Sequence, residues 1–199
     1  MSVQKNIIAN YIGKGLLTVL SIIFIPIYIQ YLGIEAYGLI GIYTILVSVT
    51  MLVDVGMGQT IVREVAKYTS KTLSLNEIKD TIKTFKYLYF IIGILLGISI
   101  YLSSELVVSK WLNVENLLFE DVVIAVELMS MMVFINWISI LYRNSIIGLQ
   151  YQVWLNVSDV SFAIVSKVGV IIVLAYLSST ITAFFTYQLL VSIFHFLLF

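Results

Sequence analysis

The 199-residue chain has no cysteine, one proline and one histidine. Without cysteine there is no disulfide frame and no thiolate metal site. With a single histidine, neither a Cys–His pair nor a His-rich metal centre can form, and no P-loop pattern occurs. Gly56 and Gly58 lack the preceding strand that a dinucleotide fold requires. Enzymatic activity and a cofactor are therefore not expected. Charge is scarce too: charged residues make up 11%, and 11 Lys+Arg balance 11 Asp+Glu. Zero net charge leaves no basic excess to attract nucleic acid.

What replaces charge is apolar surface, at 61% of residues with a mean hydropathy of +1.06. A water-soluble domain could not cover so much apolar area, which makes lipid the natural solvent. Six windows approach the roughly 20 apolar residues that a crossing needs: 7–32, 37–58, 87–108, 122–142, 160–178 and 181–199. The first is too long for a signal-peptide core and stays in the membrane. Pro26 inside it should kink the helix. The expected fold is an all-α membrane protein.

Lys and Arg give the orientation. Lys5, Arg63, Lys67, Lys71, Lys79, Lys83, Lys86 and Arg143 fall on one side, and Lys110 falls alone on the other. The positive-inside rule places the first group, and the N-terminus, in the cytoplasm. Trp111 outside and Trp154 inside suit the two interfacial aromatic belts. In the inner loop, Ser74 and Glu77 have the spacing of a capping box, so a helix should start near Leu75 and run into the third span. Arg63, Lys67 and Lys71 recur every four residues and would share one face of an extended second helix. That face is either a stop-transfer signal or a grip on anionic lipid head groups. The apolar end at His195–Phe199 lacks a polar anchor, and a longer encoded chain is expected.

Ionisable groups inside spans carry the functional signal. Lys, Arg or Asp at a helix centre costs about 2.5–3.5 kcal/mol, so Lys14, Glu127 and Lys167 facing lipid would together cost on the order of 8–10 kcal/mol. Asp54 and Asp159 lie nearer span ends, where snorkelling relieves the cost. Asn6, Asn10, Lys14, Thr18 and Ser21 form one helix face, as do Asn136, Ser139 and Arg143, and Gln188, Ser192 and His195. Helices with one polar face each describe a bundle around a hydrophilic lumen. The competing reading is structural: Lys14 or Lys167 would pair with Glu127 or Asp54 and lock helices together. His195 reads as a hydrogen-bonded interior residue, Gly93 and Gly97 as a close-packing pair, and Met129–Met132 as core filler.

Several motifs carry a family resemblance. Asn6–Gly15 (NIIANYIGKG), Phe24–Tyr28 (FIPIY), Tyr31–Gly38 (YLGIEAYG), Leu52–Met57 (LVDVGM) with Arg63–Ala66 (REVA), and Gly148–Trp154 (GLQYQVW) occur in order. Together they resemble the polysaccharide biosynthesis family of O-antigen (Wzx-type) flippases, within the multidrug/oligosaccharidyl-lipid/polysaccharide exporter superfamily. The resemblance is most specific over residues 5–68. It implies two six-helix lobes facing each other across a cavity, of which this chain matches the N-terminal one. It also implies a substrate, an undecaprenyl-pyrophosphate-linked oligosaccharide flipped across the bacterial inner membrane for O-antigen or capsular polysaccharide. The implied contacts are that substrate, membrane lipids and other polysaccharide assembly proteins, with no nucleic acid. Lumen-lining candidates on that view are Lys14, Asn10, Asp54, Glu127, Asn136, Arg143 and Lys167. Cation-coupled multidrug exporters of the same superfamily carry an acidic residue in the first helix, where this chain has Lys14. A non-transporting subunit of a glycan assembly complex is the third reading, and scattered intramembrane charges argue against it.

The charge asymmetry generates a topology test. A single cysteine at Ser74 should resist an impermeant thiol reagent applied to intact cells, whereas one at Asn113 should react. Equal labelling at both positions would reverse the map.

Overall fold

The computed structural model describes residues 3–112 and 114–199, with the side chains of 3–7 and 9 left out. Lys5 and Asn6, at the start of the first polar face, and the labelling position Asn113 lie outside the described side chains. Among the described residues there are eight helices and no strand: α1 Val3–Leu32, α2 Ile34–Val53, α3 Met57–Thr69, α4 Leu75–Leu102, α5 Ser104–Trp111, α6 Phe119–Gly148, α7 Gln152–Tyr176 and α8 Ile181–Leu197. Five of them are long and apolar enough to cross a membrane: α1 from Asn10, α2, α4, α6 and α7. α8 has 17 residues, near the short limit of about 17 for a crossing. The chain is an all-α, multi-pass membrane protein.

Local chemistry sets the breaks. α1 passes through Pro26 and continues to Leu32, where Gly33 turns the chain at φ 83°. α2 stops at Val53 rather than running on to Gly58, because Val55 and Gly56 take φ values of 43° and 82°. α3 is thus a separate helix, and the expected continuous basic face does not form. Lys71 lies past the end of α3 with φ 60°. Arg63 and Lys67 instead share Glu64, at 3.1 and 2.9 Å. The capping box is present: the Glu77 N–H donates to the Ser74 hydroxyl at 3.3 Å, and Glu77 accepts from the Ser74 N–H at 2.8 Å. It launches one helix from Leu75 to Leu102, and the chain then bends at Ser103 into α5. At the opposite end Glu35 accepts from the Glu115 and Asn116 N–H groups at 2.7 and 2.9 Å, which ties the start of α2 to the loop before α6.

α6 is the structural centre. Of its apolar window 44% is buried, against 17% or less for the other four long helices. It packs on α4, α8 and α3, while α1 packs along α7 and α7 along α8. α2 leans on α1 and α6. The result is a ring of α1, α7, α8, α6 and α2, with α4 outside it against α6 and α3 beneath. Two apolar clusters meet on α6. One gathers Val122, Val126, Met129, Met132 and Phe185, and the other Ile61, Tyr89, Trp137 and Leu141.

Close approach depends on missing side chains. A Cβ on Gly93 would lie 2.9 Å from the Trp137 ring, and one on Gly97 would touch Phe134 at 3.5 Å. Gly93 and Gly97 thus let α4 close on α6, as their spacing suggests. Tighter still, a Cβ on Gly148 would meet Val65 at 2.7 Å and the Val62 carbonyl oxygen at 2.9 Å. Backbone cannot swing aside as a side chain can. Gly148→Ala should therefore cost about 1–3 kcal/mol, read as a lower unfolding temperature of the detergent-solubilised protein. An unchanged transition would mean that α3 does not dock there.

Candidate functional site

The polar faces of α6 and α8 converge inside the ring. Asn136, Ser139 and Arg143 of α6 face Ser192 and His195 of α8 across a cavity of about 240 Å³, closed on its third side by Val47, Thr50 and Met51 of α2. Asn136 donates to the Tyr43 hydroxyl at 2.7 Å and to the Met132 carbonyl at 2.9 Å.

Arg143 makes the dominant interaction of this half. Its guanidinium donates in parallel to both oxygens of Asp159 on α7, at 2.5 and 2.6 Å. The pair is partly buried, with side-chain exposures of 34% and 13%. The His195 Nε2 stands 3.6 Å from Asp159 Oδ1 and 3.3 Å from the Ser158 hydroxyl. Phe162 stacks on the imidazole at 4.3 Å, and the guanidinium lies over Phe199 at 5.8 Å. His195 is thus a hydrogen-bonded interior residue whose ring also packs on an aromatic face.

A second cavity of about 180 Å³ lies farther along the ring, between Tyr28 of α1, Tyr43 of α2, Met132 of α6, Lys167 of α7 and Phe184 and Gln188 of α8. Lys167 is half-buried, with its ammonium 5.9 Å from the Phe24 ring centre. Ser166 donates to Gln188 Oε1 at 2.6 Å, joining α7 to α8.

The remaining candidates lie elsewhere. Asn10 joins α1 to α7, donating to Gln152 at 3.2 Å and accepting from Asn156 at 2.6 Å. Asp54 sits in the α2–α3 junction, where it accepts from the Tyr89 hydroxyl and from the Gly58 N–H at 3.1 Å. Glu127 is half-buried on α6. Lys14 is exposed on α1, with Thr18 and Ser21 exposed on the same face. Among the described residues neither Lys14 nor Lys167 forms an ion pair, so the expected structural pairs with Glu127 or Asp54 are not made. On α3, outside the spans, the Lys67 hydrogen bond, against a desolvation penalty and with help from Arg63, holds the Glu64 carboxyl below its ordinary range.

Asp159, Tyr28 and Tyr43 are the neighbours that the polar faces alone did not single out. Asp159 had a findable signal. It lies eight residues after Tyr151, as Arg143 lies eight before, and residues equidistant from a tight turn meet in a helix hairpin.

Fold and interior together define a multi-pass, all-helical membrane protein built around polar cavities. The chain belongs to the polysaccharide biosynthesis protein family, whose model matches residues 3–199. Neither the curated proteins nor the solved structures compared with it gave a significant match.

The Arg143–Asp159 pair supports a stability test. Asp159→Asn strands a partly buried guanidinium and should cost about 3 kcal/mol, whereas an apolar double replacement, Arg143→Met with Asp159→Leu, should recover most of it. Thermal unfolding of the three proteins decides: equal loss in the single and double variants would show that the pair does not hold α6 to α7.

Proposed function

We propose that the protein translocates undecaprenyl-pyrophosphate-linked oligosaccharide across the bacterial plasma membrane, as one six-helix lobe of a two-lobed flippase serving O-antigen or capsule synthesis. Family membership and several membrane-crossing helices support a role in glycan assembly at a membrane. The observation that carries the finer reading is Lys14. Its ammonium lies on an exposed face of α1, about 6 Å past Asn10 at 1.5 Å per residue, with no carboxylate paired to it among the described residues. A lone cation has no reason to face hydrocarbon. Facing a watery gap toward a second lobe, it suits an anionic pyrophosphate or an acidic sugar as a point charge with three donors.

In this reading the N-terminus is cytoplasmic, and the two lobes rock about a site near the membrane midplane to expose it alternately on each side. The protein supplies positioning and charge compensation and catalyses no covalent step.

Lys14→Ala should abolish surface polysaccharide in a flippase-null strain while the full-length protein still reaches the membrane at normal abundance. Lys14→Arg should keep part of the activity, because charge survives while geometry changes. A purely structural Lys14 predicts reduced abundance instead. Full glycan export by Lys14→Ala would remove the residue from the site.

A further inference from the structure

We infer that the 180 Å³ cavity between α1, α2, α7 and α8 is a binding site for a small monoanion, a halide or a single carboxylate group, held by Lys167, Tyr28 and Tyr43. The inference is independent of what the protein transports. It rests on the balance of donors and acceptors around the cavity.

Tyr28, a wall residue of the cavity, is 6% exposed, and its buried hydroxyl has no hydrogen-bond partner among the described residues. A buried hydroxyl left unmade costs about 1–3 kcal/mol, so its place in the wall calls for an acceptor. The Tyr43 hydroxyl accepts from Asn136 at 2.7 Å, which leaves its own proton to donate. Lys167 adds a positive charge and three N–H donors. The other polar groups are spoken for: Thr44 donates to the Gly41 carbonyl at 2.6 Å, and Ser166 donates to Gln188 Oε1 at 2.6 Å. Among the described residues no carboxylate lines the cavity. Spare donors and one ammonium-bearing side chain thus share the cavity wall, which is the arrangement an anion needs and a cation does not.

Charge and size limit the ligand further. One ammonium neutralises one negative charge. A pyrophosphate would leave a net charge buried against Phe184, Phe185 and Met132, which is costly without a second cation. The walls are also stiff. Tyr28 meets Phe184 edge to face at 5.4 Å, Phe184 meets Phe185 at 5.2 Å, and Phe185 meets Tyr43 at 6.1 Å. This aromatic chain fixes both tyrosine rings, and so the directions of their hydroxyls.

The test is thermal unfolding of the purified full-length protein in detergent, followed by tryptophan fluorescence at constant ionic strength as sulfate is replaced by chloride, acetate or glucuronate. Binding to the folded state alone raises the transition in a saturable way. The expected result is a saturable rise of a few degrees in the wild type that is absent from Lys167→Met and Tyr28→Phe. Tyr28→Phe keeps the ring and removes only an unpartnered hydroxyl, so it folds even if Lys167→Met does not. General salt effects act on all three proteins alike and cancel in the comparison. Saturation at lower glucuronate than acetate would identify the source as a sugar carboxylate, and saturation at lower chloride or acetate a free ion. A wild-type transition indifferent to the anion, or an equal response in Tyr28→Phe, overturns the site.

Discussion

A bilayer offers no water to a polar group, so one inside the spans is satisfied by its own backbone, by another helix or in a cavity, and the bonds across the ring follow from that requirement. Arg143 shows it most directly. Its guanidinium, carried on the most buried helix, takes both oxygens of Asp159, and through Asp159 it reaches His195. Three helices, α6, α7 and α8, are thereby joined around one carboxylate. Asn10 with Gln152 and Asn156 does the same for α1 and α7, and Ser166 with Gln188 for α7 and α8. Lipid cannot drive apolar helices together as water does, so these bonds and close packing at Gly93 and Gly148 supply the association.

The two cavities differ in how well their polar groups are matched. Around the first, Arg143, Asp159, His195 and Ser158 form a closed circuit in which the charges compensate one another. Around the second, Lys167 and two tyrosine hydroxyls are left with donors to spare. The neutral circuit holds helices together; the unbalanced set keeps a local positive potential inside the ring. Lys14, with no ion pair among the described residues, adds a further charge on an exposed face of α1.

Much of this was legible in the residues. Hydropathy located the five helices that are long and apolar enough to cross, and Ser74 and Glu77 marked the start of α4 where it occurs. The periodic faces on α6 and α8 do meet across a cavity. Span boundaries were less legible, because hydropathy does not register where backbone changes hand. The Asp54–Gly56 junction is apolar enough to read as helix, yet Val55 and Gly56 take positive φ and start α3 in a new direction. Periodicity also cannot report partners. Arg143, one residue past the fourth apolar window, and Lys167 look alike as cations on apolar helices, and the presence of Asp159 beside one and of Phe24 beside the other separates them only once the helices are assembled.

α2 completes the ring on different terms. Thr44, Ser48 and Thr50 donate to carbonyls of their own helix, at Gly41, Thr44 and Val47. Such back-bonds satisfy a hydroxyl without tying one helix to another. Within its span α2 reaches the rest of the ring by the Tyr43–Asn136 bond and by apolar contact with α1 and α6. Its two ends are the places where the backbone turns most sharply, at Gly33 and at Val55–Gly56. α6, α7 and α8 are therefore cross-linked through polar side chains, while α2 lies against them as a wall shared by both cavities. Shifting it would break one polar bond in the span, whereas shifting α7 would break an ion pair and several hydrogen bonds. If access to either cavity changes during function, the least costly way to change it is at α2.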